Sequence, residues 1–208
     1  MIARKAGFTL LEMLLALALL VIVLGAGFTA VRASQRSFNE TVSNDLVNHK
    51  ANRALNKIAQ ALAGAGQAGL VVTPQFDGVS FQRLSGWAIN SPTWSNTTQL
   101  SLQYEPSELD NGIDDDGDGF IDECRVVLTE DLGQPEERSV VLVNSVREFL
   151  EGELPDGADN NGNGLDDERG LCFEVQESAL TIRLTLLRRL PEGGVGLQSL
   201  STSVGFRN

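Results

Sequence analysis

Two short segments of the sequence are unusually dense in side chains that carry oxygen ligands. Residues 110–123 contain seven acidic side chains in fourteen positions, and residues 156–168 repeat the same spacing with fewer charges. Hard divalent cations such as calcium bind about six to eight oxygens, and alternating Asp and Asn around a glycine turn supplies them from one short loop. Asp-Asn-Gly strings also form ordinary turns, but a turn does not require so many like charges side by side. The pattern therefore predicts a calcium site in each segment.

The candidate ligands follow from aligning the two segments on Gly119 and Gly164. They are Asp114, Asp116, Asp118, Phe120, Asp122 and Glu123 in the first segment, and Asp159, Asn161, Asn163, Leu165, Asp167 and Glu168 in the second. The start of the first segment resembles the calcium loop of EF-hands, but its twelfth residue, counted from Asp114, is Arg125 instead of the closing Glu. We expect the closing ligand to come from Asp122, from Glu123 or from another part of the chain.

The predicted role of the metal is structural, with two calcium ions bound. The second ion should bind more weakly, because Asn161 and Asn163 replace two Asp. Magnesium is disfavoured, since it tends to keep its waters instead of entering an all-protein cage. Neither segment contains a His or Cys ligand, which argues against a catalytic metal.

The start of the chain carries a second pattern, a lone carboxylate at the beginning of a membrane-length apolar run. Arg4 and Lys5 precede Gly7-Phe8-Thr9-Leu10-Leu11-Glu12, and the apolar run continues to about Val31. A charged side chain in a transmembrane segment is costly and usually functional. The two basic residues suit a cytoplasmic leader.

This arrangement resembles the type IV prepilin signal of the pilin and pseudopilin superfamily. The resemblance implies that a prepilin peptidase removes residues 1–7 by cutting between Gly7 and Phe8 and that Phe8 is then N-methylated. It also implies an assembly role for Glu12, whose carboxylate would neutralise the N-terminal amine of a neighbouring subunit in the filament core. The alternative is an ordinary signal anchor or signal peptide that carries a stray Glu.

The elements that follow predict an α+β fold of pilin type, with a long N-terminal α-helix packed against an antiparallel β-sheet head. Residues 8–31 form the transmembrane or filament-core half of the helix, and residues 32–68 form an amphipathic half with apolar residues three to four positions apart. Residues 69–208 form the head. Its β-rich runs are residues 99–104, 124–128, 140–146 and 179–187, and a final strand that contains Val204 and Phe206.

Cys124 and Cys172 each follow one of the acidic segments. In a head exported to an oxidising compartment, two cysteines predict one disulfide, and their equivalent positions suggest two strands that leave the loops side by side. Such a cross-link could contribute roughly 4 kcal/mol to stability. The alternative is two separate buried thiols.

Composition excludes several functions. The formal charge is −12 and no basic patch occurs outside the helix, so we expect no nucleic acid to bind the head. The chain has one His, no nucleophile motif and no phosphate-binding loop, so we do not expect an enzyme.

The resemblance implies a structural subunit, such as a PilW-like minor pilin or a J-type type II secretion pseudopilin. Its helix would assemble with other pilins or pseudopilins into a type IV pilus or a secretion pseudopilus. Before assembly it would span the bacterial inner membrane once, with the head in the periplasm or outside. The alternative function is a membrane-anchored, calcium-dependent adhesin or binding module that uses a pilin-like anchor.

Overall fold

The computed structural model describes residues 9–176, 179–190 and 193–205. The predicted cleavage site at Gly7 and Phe8, and the terminal Phe206, lie outside these residues. The described chain divides into one unit that ends at Val42 and a second that begins at Ser43. Its elements are the helix α1 (Leu10–Leu62), a 3-10 turn (Gln67–Gly69), and the strands β1 (Val71–Val72), β2 (Gly78–Phe81), β3 (Leu84–Ala88), β4 (Ser91–Trp94), β5 (Thr98–Tyr104), β6 (Cys124–Glu130), β7 (Arg138–Val146), β8 (Leu171–Gln176), β9 (Ala179–Arg189) and β10 (Val195–Gly205).

In the first unit, α1 presents apolar side chains on all sides. Leu10 is 79% exposed and Ile22 is 67% exposed, and no residue of the most apolar window is buried. Among the described residues α1 is the one helix long and apolar enough to cross a membrane, by length and composition. A helix that is apolar all round needs lipid or other helices around it.

In the second unit, α1 turns one face towards the sheet. The buried residues recur every three or four positions and therefore share a face. They are Ala51, Ala54, Leu55, Ile58, Ala61 and Leu62. Leu46, an apolar residue of the predicted amphipathic half, is exposed. The alanines on this face leave room for the helix backbone to approach the sheet closely.

α1 ends at Leu62, six residues before the predicted boundary at residue 68. Beyond it the main chain joins the strands: Ala65 bridges to Arg83, and the Gly66 N–H donates to the Gln82 carbonyl at 3.2 Å. A Cβ on Gly66 would lie 2.4 Å from the ring of Trp94, so this position requires a glycine. Helix propensity does not predict the close contact with Trp94, because Gly66 and Trp94 are distant in the sequence.

The head is an antiparallel sheet of eight strands, and a separate hairpin is formed by β3 and β4. The strand order is β1-β2-β5-β6-β7-β9-β10, with β8 also paired to β9. All of these pairs are antiparallel. The predicted α+β fold is therefore confirmed. The predicted strands correspond to β5, β6, β7, β9 and β10, whereas β1 to β4 and β8 were not predicted.

The core lies between the second half of α1 and one face of the sheet. Strand β9 shows most clearly which side chains face the core. Four of them are at most 1% exposed and belong to the core: Leu180, Ile182, Leu184 and Leu186. Side chains alternate across a strand, so Arg183 projects from the opposite face. Register fixes this alternation, with Leu186 opposite Val146 on β7.

The structure corrects the disulfide prediction: Cys124 and Cys172 are separate free thiols, both fully buried. Cys124 belongs to the core between the helix and the sheet. Cys172 lies between Leu171 and Phe173, which both belong to that core, so its own side chain projects from the other face. The strands do not leave the acidic loops side by side either, because β7 and β9 separate β6 from β8.

Candidate functional site

The two acidic loops connect β5 to β6 and β7 to β8, and they are built alike. We define the first acidic unit as residues 108–123 and the second acidic unit as residues 153–168. The second acidic unit repeats the spacing of the first. Several hydrogen bonds recur at equivalent positions, as described below. The repeat of geometry shows that the spacing of Asp, Asn and Gly determines the local conformation.

Asp114 organises the loop of the first acidic unit, and Asp159 organises the loop of the second. Asp114 accepts hydrogen bonds from the main-chain N–H groups of Gly117, Asp118 and Gly119 at 2.6, 3.1 and 2.8 Å. Asp159 accepts the three equivalent bonds at 2.6, 3.1 and 2.7 Å. Gly117 and Gly119 have φ of +74° and +86°, a region that favours glycine. The loop backbone is thus wrapped around a carboxylate.

The Asp near the end of each unit holds the start of its loop. Asp122 accepts from the main-chain N–H of Asn111 at 3.1 Å and of Gly112 at 2.9 Å. Asp167 accepts the equivalent bonds at 3.0 Å. Both were predicted as metal ligands, and in the structure both serve as main-chain acceptors. A ligand oxygen of Asp122 also lies within 4.8 Å of one from Asp110 and one from Glu148.

Two buried glutamates face the first loop. Glu123 is 1% exposed and Glu108 is 4% exposed. Oε1 of Glu108 accepts from the Asp116 N–H at 3.1 Å, whereas Oε2 of both glutamates is buried with no hydrogen-bond partner among the described residues. Ligand oxygens of Glu108, Asp116 and Glu123 lie within 4.8 Å of one another, and so do those of Asp114, Asp116 and Asp118. The two groups share Asp116, which places five carboxylates around one loop.

The second unit has the same pair of buried glutamates. Glu153 is 1% exposed and Glu168 is fully buried, and again Oε2 of each has no hydrogen-bond partner among the described residues. Oε1 of Glu153 accepts from the Asn161 N–H at 2.9 Å. In this unit the Asn163 side-chain amide donates to Oε1 of Glu168. The equivalent residue of the first acidic unit is a carboxylate, Asp118.

The first acidic unit holds a cluster of carboxylates that forms no ion pair with a basic side chain. Within the described residues, no ion pair involves the five clustered carboxylates, which are Glu108, Asp114, Asp116, Asp118 and Glu123. Burial, followed by the nearby charges of Asp118 and Glu108, raises the pKa of the Glu123 carboxyl to about 7. A buried carboxylate with an unsatisfied oxygen is costly unless a cation or a hydrogen bond compensates it. The donor set consists of oxygens alone, which suits a hard cation.

An Arg bridges the ends of the two acidic units. Arg169, directly after the second unit, donates to Glu148 at 3.2 Å and lies over the rings of Tyr104 and Phe149 at 5.1 and 5.3 Å. Its Nη2 also approaches the Cys124 sulfur at 3.8 Å. Burial raises the pKa of the Cys124 thiol to about 12, so this sulfur is not a thiolate ligand.

Sequence reasoning missed Glu108 and Glu153, which lie six residues before Asp114 and Asp159. The signal was present: extending the alignment upstream reaches a Glu-Leu pair in both units. These glutamates fall outside the short segment in which calcium loops usually keep their ligands, and only the sheet brings them to the site.

The predicted assembly residue Glu12 forms a capping box at the start of α1. Its Oε2 accepts from the N–H of Thr9 at 2.8 Å and from Oγ1 of Thr9 at 3.0 Å, and its own N–H donates to Oγ1 of Thr9 at 3.3 Å. The side chain of Glu12 is exposed. The predicted processing residues Gly7 and Phe8 lie outside the described part of the chain.

The N-terminal region matches a family of known proteins. Residues 2–28 match the family described as the prokaryotic N-terminal methylation motif. No curated protein and no solved structure matches the chain. The motif supports a type IV pilin-like protein with a prepilin-type signal, and the long apolar helix is consistent with membrane anchoring. The signal implies processing by a prepilin peptidase and assembly with other pilins, and it suggests a structural role instead of an enzymatic one.

Proposed function

We propose that the protein is a structural minor pilin or pseudopilin, cleaved between Gly7 and Phe8 and assembled through α1 into a type IV pilus or a type II secretion pseudopilus. The match of the methylation motif over residues 2–28 carries this proposal. The match runs into a helix of 53 residues. The exposed apolar half of that helix supports the proposal, because such a surface is stable in lipid and between packed helices but not in water.

Glu12 supplies the second argument for assembly. Its hydrogen bonds to Thr9 use one carboxylate oxygen and leave the charge itself uncompensated within the described chain. An amine at the start of a neighbouring subunit would neutralise that charge in an apolar filament core. Removal of either member would leave a buried unpaired charge, so the pair would fix the register between subunits.

Replacement of Glu12 tests the assembly role. Glu12→Ala should insert into the membrane and be processed as in the parent, and the amount recovered in sheared filaments should fall at least tenfold. Glu40→Ala, a change of an exposed carboxylate on the same helix, is the matched control and should assemble normally. Recovery of Glu12→Ala in filaments at the parent level would contradict the role.

We further propose that each acidic unit binds one calcium ion that stabilises the head. Four buried carboxylate oxygens that have no hydrogen-bond partner in the described part of the chain carry this proposal, one from each of Glu108, Glu123, Glu153 and Glu168. Calcium fits the number of oxygens offered by one short loop better than magnesium, which prefers to keep its waters. Binding to the folded state alone stabilises it by about 2.7 kcal/mol when free calcium is one hundred times the dissociation constant.

The calcium proposal is tested on the full chain in detergent, by metal analysis and by thermal unfolding in calcium, magnesium or chelator. Two bound ions and a large rise in Tm with calcium are expected. The double variant Asp116→Ala, Asp118→Ala should lose one ion and part of the rise. An equal calcium-dependent rise in variant and parent would contradict the assignment of the first site.

One observation favours the alternative, a calcium-dependent adhesin on a pilin-like anchor. The β3–β4 hairpin and its flank, residues 84–96, contain no charged residue. At its tip Trp87 is 73% exposed and Ile89 is 97% exposed, which is a surface suited to a partner. The adhesin predicts that ligand binding survives in Glu12→Ala, whereas the structural subunit predicts loss of function together with assembly.

A further inference from the structure

We infer that Glu108 and Glu153 are metal ligands, each of which reaches its site from the chain segment that precedes the loop, so that the cation joins the two segments that flank the loop. This inference rests on the calcium binding proposed above. It adds one carboxylate to each site from outside the segment that resembles a calcium loop.

The main chain places each glutamate beside its site in the same way. The Glu105 N–H donates to the Glu123 carbonyl at 3.0 Å, and the Glu108 N–H donates to the Glu105 carbonyl at 3.0 Å. These two bonds fold the chain after β5 into a turn against the start of β6. In the second unit the Leu150 N–H donates to the Glu168 carbonyl at 2.9 Å and the Glu153 N–H to the Leu150 carbonyl at 3.1 Å.

Each glutamate binds the loop through one oxygen and keeps the other oxygen unpaired. Oε1 of Glu108 accepts from the N–H of Asp116, and Oε1 of Glu153 accepts from the N–H of Asn161. Oε2 of each has no hydrogen-bond partner among the described residues, although both side chains are at least 96% buried. Orientation of the loop needs the first oxygen only. A charged group retained at a buried position with its second oxygen free points to a cation.

The distances agree with coordination of one ion. Two oxygens that bind the same calcium at about 2.4 Å can be no more than about 4.8 Å apart. The ligand oxygens of Glu108, Asp116 and Glu123 meet this limit in every pair. Glu108 therefore supplies the carboxylate that an EF-hand takes from its twelfth position, where this chain has Arg125.

The two sites should depend on this glutamate to different degrees. Without Glu108 the proposed first site keeps four carboxylates, at Asp114, Asp116, Asp118 and Glu123. Without Glu153 the equivalent positions of the second site keep two, at Asp159 and Glu168, because Asn161 and Asn163 are neutral. Loss of the glutamate should therefore weaken the first site and abolish the second.

The test uses Glu108→Gln, Glu153→Gln and the double variant in the full chain in detergent, with Glu136→Gln as an exposed control. Gln retains an oxygen that can accept the loop N–H and removes the charge, so it separates coordination from loop orientation. Calcium affinity and stoichiometry are measured by calorimetric titration with metal analysis. The expected results are at least tenfold weaker binding at one site in Glu108→Gln, one ion in Glu153→Gln, and parent behaviour in Glu136→Gln.

Unfolding in chelator provides a readout that a purely structural role would not give. Both Gln variants should be at least as stable as the parent without metal, because each removes repulsion between buried carboxylates, and less stable than the parent with calcium. Two ions bound to the double variant at parent affinity would overturn the inference and leave the calcium proposal intact. A parent chain that binds no calcium would overturn the calcium proposal and the inference with it.

Discussion

The Asn163 side-chain amide donates to the Glu168 carboxylate, at the position where the first acidic unit has Asp118 near Glu123. The second unit therefore satisfies part of its charge with its own amide. The first unit brings two carboxylates together instead, and the charge of Asp118 contributes to the raised pKa of Glu123. The two loops share one geometry, but the first should depend on a bound cation more strongly than the second.

Asn163→Asp should make the second site resemble the first. We expect calcium affinity at this site to rise about tenfold, because a fourth carboxylate is added. In chelator the Tm should fall, because the introduced carboxylate would repel Glu168, whereas the native amide donates to it. Calorimetric titration and thermal unfolding check both effects, with Asn39→Asp on the exposed face of α1 as the control for added charge. A variant that is unchanged in both measurements would show that Asn163 does not face the cation.

The metal-free protein should lose stability as the pH rises through the range in which Glu123 ionises. Burial first, and then the neighbouring carboxylates, raise the pKa of Glu123 from 4.5 to about 7 in the folded state. The folded state then binds this proton more tightly than the unfolded chain, so the contribution is complete below pH 4.5 and is lost as the pH rises through 7. It is on the order of 3 kcal/mol.

The comparison that isolates this effect is the parent against Glu123→Gln, unfolded by urea in chelator between pH 4.5 and 8. The stability difference between the two proteins should change in favour of the variant as the pH rises. A constant difference over this range would mean that Glu123 titrates normally.

Both cysteines should be recovered as free thiols that react only after unfolding. Burial raises the pKa of Cys124 and of Cys172 to about 12. At pH 8 about one thiol in ten thousand is then ionised, and neither sulfur is accessible. Mass spectrometry after alkylation should show no modification of the native protein and two modifications in denaturant. A native protein that shows two modifications only after reduction contains a disulfide.

Gly66→Ala should destabilise the head, because the new Cβ would lie 2.4 Å from the Trp94 ring. The expected cost is about 1–3 kcal/mol, typical of an overpacked contact. Gly64→Ala is the matched control, since its Cβ would meet nothing closer than 3.9 Å, and it should be neutral or slightly stabilising. Urea unfolding of the two variants, and of Gly66→Ala combined with Trp94→Ala, separates the steric effect from the loss of glycine. Equal stability of the two single variants would contradict the contact.

Local patterns in the sequence determined the elements that are local in the structure. The apolar run without proline predicted α1, and alternation predicted β5, β6, β7, β9 and β10. The acidic loops were predicted because Asp, Asn and Gly form their hydrogen bonds within a few residues of chain. The proximity of Thr9 and Glu12 along the helix likewise needs no tertiary information.

Only the tertiary structure decided which residues meet across strands. Glu108 and Glu153 reach the acidic loops because main-chain hydrogen bonds pair the segment before each loop with the segment after it. Cys124 and Cys172 project from different faces because strand order and register, and not their spacing from the loops, set the direction of each side chain. Gly66 lies against the Trp94 ring, a contact that helix propensity does not include. Periodicity and turn chemistry act over neighbouring residues, whereas these three contacts depend on pairings between distant parts of the chain.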